Sequence, residues 1–155
     1  MIDIGFYQLA QRRAEAVLPQ LIAKALAAGH RIVVHSDDAA LLARIDTALW
    51  SHAADSFLPH GIDTDVGPDR VASQPVLLTT DPLPAGNALP NAADCLAQVG
   101  GDLPDDLTGL ARALFLFDAD NLEAARARWR VLKGMENVRP VYWREGEDGR
   151  FEKAA

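Results

Sequence analysis

Short runs of β-branched and aromatic residues alternate with longer amphipathic stretches in this chain, and this alternation limits its possible folds more than any other feature. Residues 2–7 have a strand pattern, residues 12–28 have apolar side chains at helical spacing, and residues 31–36 form a compact apolar run. Strand, helix and strand in this order indicate crossover connections and a largely parallel sheet covered on both faces. Pro19 inside the helical stretch predicts a kink or a late helix start.

The same two patterns continue towards the C-terminus. Ser36, Asp37 and Asp38 offer caps for a second helix. That helix is predicted at residues 39–50, and a last helix, capped by residues 118–121, extends to residue 133. Further strands are predicted at residues 75–80, 92–99, 111–117 and 140–143, the last of them at an edge of the sheet.

Segments rich in glycine, proline and polar residues indicate the loops and the end of the domain. Glycine and proline are frequent at residues 61–74 and 81–90, which predicts loops, and the polar residues 144–155 predict a frayed tail. A chain of 155 residues is long enough to bury one core. We therefore expect a single three-layer α/β/α domain over residues 1–143, followed by a polar C-terminal tail over residues 144–155.

Charge is distributed unevenly along the chain. The net charge of −7 argues against strong direct nucleic-acid binding. From residue 121 onwards there are 8 Lys and Arg but 6 Asp and Glu, a net charge of +2, whereas the first 120 residues carry −9. A basic C-terminal element on an acidic body predicts a local site for a negatively charged partner.

Several classes of protein are excluded or disfavoured. The single Cys95 excludes an internal disulfide and a cysteine-cage zinc site. No apolar run approaches the ~20 residues that a membrane span needs, and no secretory pattern opens the chain, so we expect a cytoplasmic protein. Neither the P-loop motif nor the dinucleotide-binding glycine motif is present, so the predicted fold is Rossmann-like without a phosphate-binding loop.

Two acidic segments leave an enzymatic alternative open. Asp37 and Asp38 follow a predicted strand, where α/β enzymes often bind ligands, although helix capping is the simpler explanation. Residues 52–65 contain His52, His60 and three Asp but lack the histidine spacing of a zinc motif. We expect no metal and no cofactor, and we keep as the alternative a small metal-dependent α/β enzyme that uses Asp37, Asp38 or residues 52–65.

The last predicted helix carries the sharpest pattern. An apolar face that includes Trp129 lies beside a basic ridge formed by Arg126, Arg130 and Lys133, while Arg128 points elsewhere. The helix dipole stabilises cations near a helix C-terminus, and this explains Arg130 and Lys133 without a function. The alternative is a docking site for carboxylates, since arginine holds a carboxylate through two hydrogen bonds.

Large apolar side chains also occur in a loop context. They are Trp50, Phe57, Leu58 and Pro59. Such residues either pack back on the core or are offered to a partner, and the residues themselves do not decide between these alternatives.

Taken in order, these segments resemble the chi subunit family of the bacterial DNA polymerase III holoenzyme. The resemblance is carried by FYQL (6–9), ALWSHAADSFLPHG (48–61), QPVLLT (74–79), ARARWRVLK (125–133) and VYW (141–143). The second block is the most specific, and the fourth comes next. The resemblance implies a non-catalytic adaptor of the clamp loader, with an α/β fold that lacks the phosphate loop.

The resemblance also implies two binding surfaces. One pairs with the psi subunit and carries over to Trp50 and Phe57, with Pro59 and His60 beside them. The other binds the acidic C-terminal tail of single-stranded DNA-binding protein, which ends in a phenylalanine carboxylate. That second surface is implied at Arg126, Trp129 and Arg130, with Phe117 as a further wall of the phenyl notch.

One position departs from the family pattern. Leu122 stands where some members carry another cation, so tail affinity is expected to be lower unless Lys133 and Arg139 share the load. A third possible function is a protein-binding module that uses the surface of Trp50 and Phe57 alone.

Overall fold

One mostly parallel β-sheet forms the centre of the molecule. The computed structural model describes residues 1–52 and 59–155. In this part of the chain the sheet has eight strands in the order β3-β4-β2-β5-β6-β1-β7-β8. The strands are β1 (Ile2–Gln8), β2 (Ile32–His35), β3 (Gly61–Ile62), β4 (Val76–Thr79), β5 (Cys95–Val99), β6 (Arg112–Phe117), β7 (Val138–Glu145) and β8 (Phe151–Lys153).

Helices cover both faces of this sheet, which confirms the predicted three-layer α/β architecture. They are α1 (Ala14–Ala27), α2 (Ala39–Trp50), α3 (Asp63–Val66), α4 (Pro68–Val71) and α5 (Leu122–Lys133). Helices α1 and α2 pack on one face of the sheet. Helix α5 and the segment before β6 pack on the other face. Within the described residues, no helix is long and apolar enough to cross a membrane.

The central strands are apolar on both sides because each face is covered. Ile32, Val33 and Val34 of β2 alternate between the two core layers, and all three are fully buried. All neighbouring strands run parallel except β7 and β8, which pair antiparallel. The sequence prediction of a largely parallel sheet is therefore confirmed.

Helix caps act as the sequence predicts. The Leu41 N–H donates to Asp38 Oδ1 at 3.1 Å, so α2 begins directly after Asp38. Before α5, Asp118 and Asn121 bond each other's backbone in a reciprocal capping box. Helix α1 begins at Ala14, later than residue 12, and Pro19 lies buried inside it.

Residues 61–74 differ from the predicted loop. They contain strand β3 and the two short helices α3 and α4. Strand β3 pairs with β4 through only two register partners, and single-turn helices have too few residues to show an apolar period. The pattern of glycine and proline therefore marked the segment correctly as irregular but concealed its short elements.

The C-terminal end is also ordered, so the predictions of an edge strand at residues 140–143 and a frayed tail are wrong. Strand β7 extends to Glu145, and β8 pairs with it as the true edge strand. The Phe151 ring packs edge-on against the Tyr7 ring with centroids 5.4 Å apart. The Arg12 guanidinium carbon lies 5.8 Å from the centre of the Phe151 ring. A long-range contact between the two ends of the chain thus holds a strand that is too short to be recognised by itself.

Replacing Phe151 by alanine tests this C-terminal strand. We expect Phe151→Ala to lower the free energy of unfolding by about 2 kcal/mol. This is less than the cost of truncating a fully buried aromatic side chain, because the Phe151 ring is only half-buried. Denaturant unfolding measures the effect. Arg150→Ala, an exposed change in the same segment, is the control, and equal stability of the two variants would contradict the pairing of β8.

Candidate protein-binding surfaces

Three cations project from α5 without ion-pair partners. Arg126, Arg130 and Lys133 are exposed. None of them forms a salt bridge with residues 1–52 or 59–155, whereas Arg128 Nη1 lies 2.8 Å from Asp105 Oδ1. Arg128 is therefore turned away and neutralised, whereas the three exposed cations give the outer side of the helix a positive charge.

Trp129 forms an aromatic wall beside these cations. Its ring packs edge-on against Phe6 at 5.4 Å and against Tyr142 at 5.5 Å, measured between centroids. The side chain is only partly buried, so some of the ring stays accessible. Two perpendicular ring contacts fix the indole in place, which gives the basic ridge a rigid apolar neighbour.

The hydroxyl group of Tyr142 connects the ridge to the sheet. It donates a hydrogen bond to Gln8 Oε1 at 2.6 Å. Burial raises the pKa of Tyr142, while a hydrogen bond from Arg126 and the nearby charge of Arg144 act in the opposite direction. Both arginines therefore lie close enough to Tyr142 to affect the acidity of its hydroxyl group.

Arg144 is a cation that sequence reasoning missed. Alternation along β7 places it on the same face as Tyr142, and its side chain is exposed. The sequence analysis assigned residue 144 to a frayed tail, so its face was not considered. A strand pattern read through to residue 145 would have found it.

Two other side chains expected near the ridge lie elsewhere. Phe117 is only 2% exposed, with its ring under Phe6 and Tyr142, so it does not present a wall to a ligand. Arg139 alternates onto the opposite face of β7, where its Nε lies 3.5 Å from Asp3 Oδ1. Arg139 therefore does not add its charge to the basic ridge in this structure.

The position of Leu122 agrees with its apolar character. Leu122 is half-buried and packs against the core layer under α5. The turn of the helix that carries a cation in some family members therefore contributes packing here. The basic ridge begins one turn later, at Arg126.

A second candidate surface lies at the end of α2, on the other face of the sheet. Trp50 is 57% exposed, and its ring centroid lies 4.7 Å from that of His60. His60 is buried, with Nε2 3.1 Å from Asp46 Oδ1, and Pro59 is exposed. Phe57, the fourth residue predicted here, lies outside the described residues. The structure thus brings together Trp50, Pro59 and His60.

The carboxyl ends of β1, β5 and β6 border an open cleft of about 620 Å³, where α/β proteins often bind nucleotides. In this protein a carboxylate of the chain occupies the backbone donors at its rim. The N–H groups of Ala10, Gln11 and Arg12 donate to Glu145 Oε1 at 2.9, 2.7 and 3.0 Å. Arg12 Nε donates to Glu145 Oε2 at 2.7 Å. We call this arrangement the Glu145 clamp.

The clamp changes the acidity of its carboxyl group. Burial by itself would raise the pKa of Glu145, but the hydrogen bonds from Arg12 and the three backbone N–H groups lower it to about 2. The side chain is completely buried. A turn without glycine therefore does gather convergent N–H donors, contrary to what the missing motif suggested, and they bind an internal anion.

The acidic segments of the enzymatic alternative do not converge. Asp38 caps α2, and Asp37 is exposed beside it. Within residues 1–52 and 59–155, no three His, Cys, Asp or Glu side chains are grouped so that they could hold a metal ion. Burial raises the pKa of the Cys95 thiol to about 12, which leaves it unreactive at neutral pH.

Comparison with known proteins points to one family. The family described as DNA polymerase III chi subunit, HolC, matches residues 1–137. This is most of the 155 residues, and the match ends just before β7. No curated protein matches the chain significantly. Chi subunits are non-catalytic accessory subunits in DNA replication.

Removing the charge of the clamp tests its contribution to stability. We expect Glu145→Gln to lower the free energy of unfolding by about 3 kcal/mol at pH 7, because a buried charge-assisted network loses its anion. The folded-state pKa of about 2 lies below the ordinary value of 4.5, so this stability is present above about pH 4.5 and lost as the pH falls towards 2.

Urea unfolding of wild type and variant between pH 3 and pH 7 measures this effect. The difference between the two proteins shrinks as the pH falls. Glu147→Gln, at an exposed position two residues away, is the matched control. A stability difference that stays constant over this pH range would contradict the assignment to an ionised Glu145.

Proposed function

Since the chain belongs to the chi subunit family of DNA polymerase III, we propose that it is a replication adaptor that links single-stranded DNA-binding protein to the clamp loader. It binds the acidic C-terminal tail of single-stranded DNA-binding protein through one surface and a psi-like subunit through the other. It catalyses no reaction, needs no cofactor, does not bind nucleic acid strongly, and acts in the cytoplasm.

The observation that carries this proposal is the group of exposed cations beside a fixed indole on α5. Arg126, Arg130 and Lys133 supply positive charge, and Trp129 supplies an apolar wall. A peptide that ends in phenylalanine and carries aspartates needs both, because its carboxylates require cations and its ring requires an apolar contact. The helix-dipole explanation accounts only for the charges in the last turn of α5 and leaves Arg126 unexplained.

The surface around Trp50 supports the second half of the proposal. An indole that is 57% exposed beside a proline is typical of an interface anchor rather than of a solvated surface. It lies on the opposite face of the sheet from α5, so both partners fit on one molecule without competing. The psi-like subunit is the occupant implied by the family.

The tail-binding surface is tested with an acidic peptide ending in Pro-Phe-carboxylate. We expect saturable binding that weakens by about tenfold between 50 and 200 mM salt, because exposed charges are screened. Arg130→Glu abolishes it, and an amidated peptide binds at least tenfold more weakly, since the terminal charge is lost. Fluorescence anisotropy of a labelled peptide measures these affinities.

Arg128→Ala is the control, because Arg128 is already paired with Asp105 and lies off the ridge. It is expected to bind the peptide as wild type does. Absence of binding by wild type at millimolar protein concentration would contradict the adaptor function. Binding of the peptide excludes the third possibility, a module that uses the Trp50 surface alone.

The psi-binding surface is tested by Trp50→Ala. We expect this variant to lose at least tenfold in affinity for the psi subunit, because a central indole dominates such interfaces. Its free energy of unfolding changes by about 1 kcal/mol or less, since the side chain is mostly exposed. Calorimetric titration with purified psi measures the loss. Val131→Ala, an exposed apolar truncation on α5, is expected to bind psi normally.

A further inference from the structure

The side chain of Arg144 lies near the tail-binding ridge but belongs to a different element. It projects from the end of β7 on the face that α5 covers, and it acts with Arg126 on the Tyr142 hydroxyl group. It is exposed and forms no salt bridge in the described part of the chain. Glu152 is its register partner on β8, yet the two side chains are not ion-paired.

The backbone around Arg144 is held on both sides. Glu145, the next residue, is fixed in its clamp by four hydrogen bonds. Tyr142, two residues before, is packed against Trp129 and bonded to Gln8. Arg144 therefore stands on a rigid strand, so holding its side chain against a ligand requires no ordering of the main chain.

The aromatic contacts show where a terminal carboxylate would lie. A C-terminal phenylalanine has its carboxylate about 5 Å from the centre of its own ring, because few bonds separate the two groups. A peptide whose ring packs against Trp129 therefore holds its carboxylate near the edge of that contact. The Trp129 ring touches the Tyr142 ring, and Arg144 follows Tyr142 by two residues on the same face of β7. Arg126 lies about one turn before Trp129 on α5, so Arg126 and Arg144 both lie beside this pair of rings.

We propose that Arg126 and Arg144 form a two-arginine clamp for the terminal carboxylate of the docked peptide, beside the rings of Trp129 and Tyr142. The proposal rests on the proposed tail-binding function and adds to it a residue outside the family match, which ends at residue 137. Arg130 and Lys133, further along α5, are left for the acidic side chains upstream. Specificity for a free C-terminus thus depends on an arginine contributed by the sheet.

A double-mutant cycle between protein and peptide tests the two-arginine clamp. Wild type, Arg144→Ala and Arg150→Ala are each titrated with the Pro-Phe peptide carrying a free or an amidated terminus. We expect Arg144→Ala to bind the free-terminus peptide about fivefold more weakly. We also expect this variant to discriminate less between the two termini, because the group that senses the carboxylate is gone. Arg150→Ala removes one exposed charge from the same end and preserves the discrimination.

The other outcomes are decisive as well. If Arg144→Ala and Arg150→Ala weaken binding equally and leave the discrimination between termini unchanged, Arg144 acts only through its long-range charge and the clamp is wrong. If wild type binds neither peptide, the tail-binding function fails and the clamp fails with it. Thermal unfolding of Arg144→Ala, expected to match wild type because the side chain is exposed, verifies that the variant is folded.

Discussion

The carboxylate of Glu145 is the constraint on which the C-terminal half of the structure depends. It joins the last long strand to the turn between β1 and α1, more than 130 residues away in sequence. The hydrogen bonds of Glu145 thus hold the end of β7 against the start of α1. They also fill the donors that a phosphate would use in a nucleotide-binding relative of this fold.

The positions of the two candidate surfaces follow from how the sheet is covered. Helix α5 presents cations on one face, and α2 ends in an exposed indole on the other. The ion pair with Asp105 neutralises Arg128. The exposed cations that remain on α5 lie beside Trp129. The net charge of −7 makes the rest of the surface less attractive to acidic ligands than the basic ridge is.

Most helices and strands could be predicted from local sequence patterns. The features that could not be predicted depend on contacts between residues far apart in the sequence. Helix α2 has the predicted bounds because its cap and its apolar period are encoded within residues 38–50. Strand β8 has three residues, and only its contacts with β7 and Tyr7 make it a strand. For the ridge, Arg126, Trp129 and Arg130 were found from helical spacing. The burial of Phe117 and the packing of β7 on which the position of Arg144 depends follow from strand pairing, which composition does not reveal.

The place of β1 in the sheet has a consequence for how the protein is made. Strand β1 is synthesised before the other strands of the sheet, yet its two neighbours are β6 and β7, which begin at residues 112 and 138. At about 5–20 residues per second, β1 waits roughly 5–20 s for its first neighbour. During that time its apolar side chains have no sheet to enter, and strands β2, β4 and β5 pair before it. The apolar side chains of β1 are therefore exposed until β6 and β7 have been synthesised, and this is the interval in which a chaperone has most to protect.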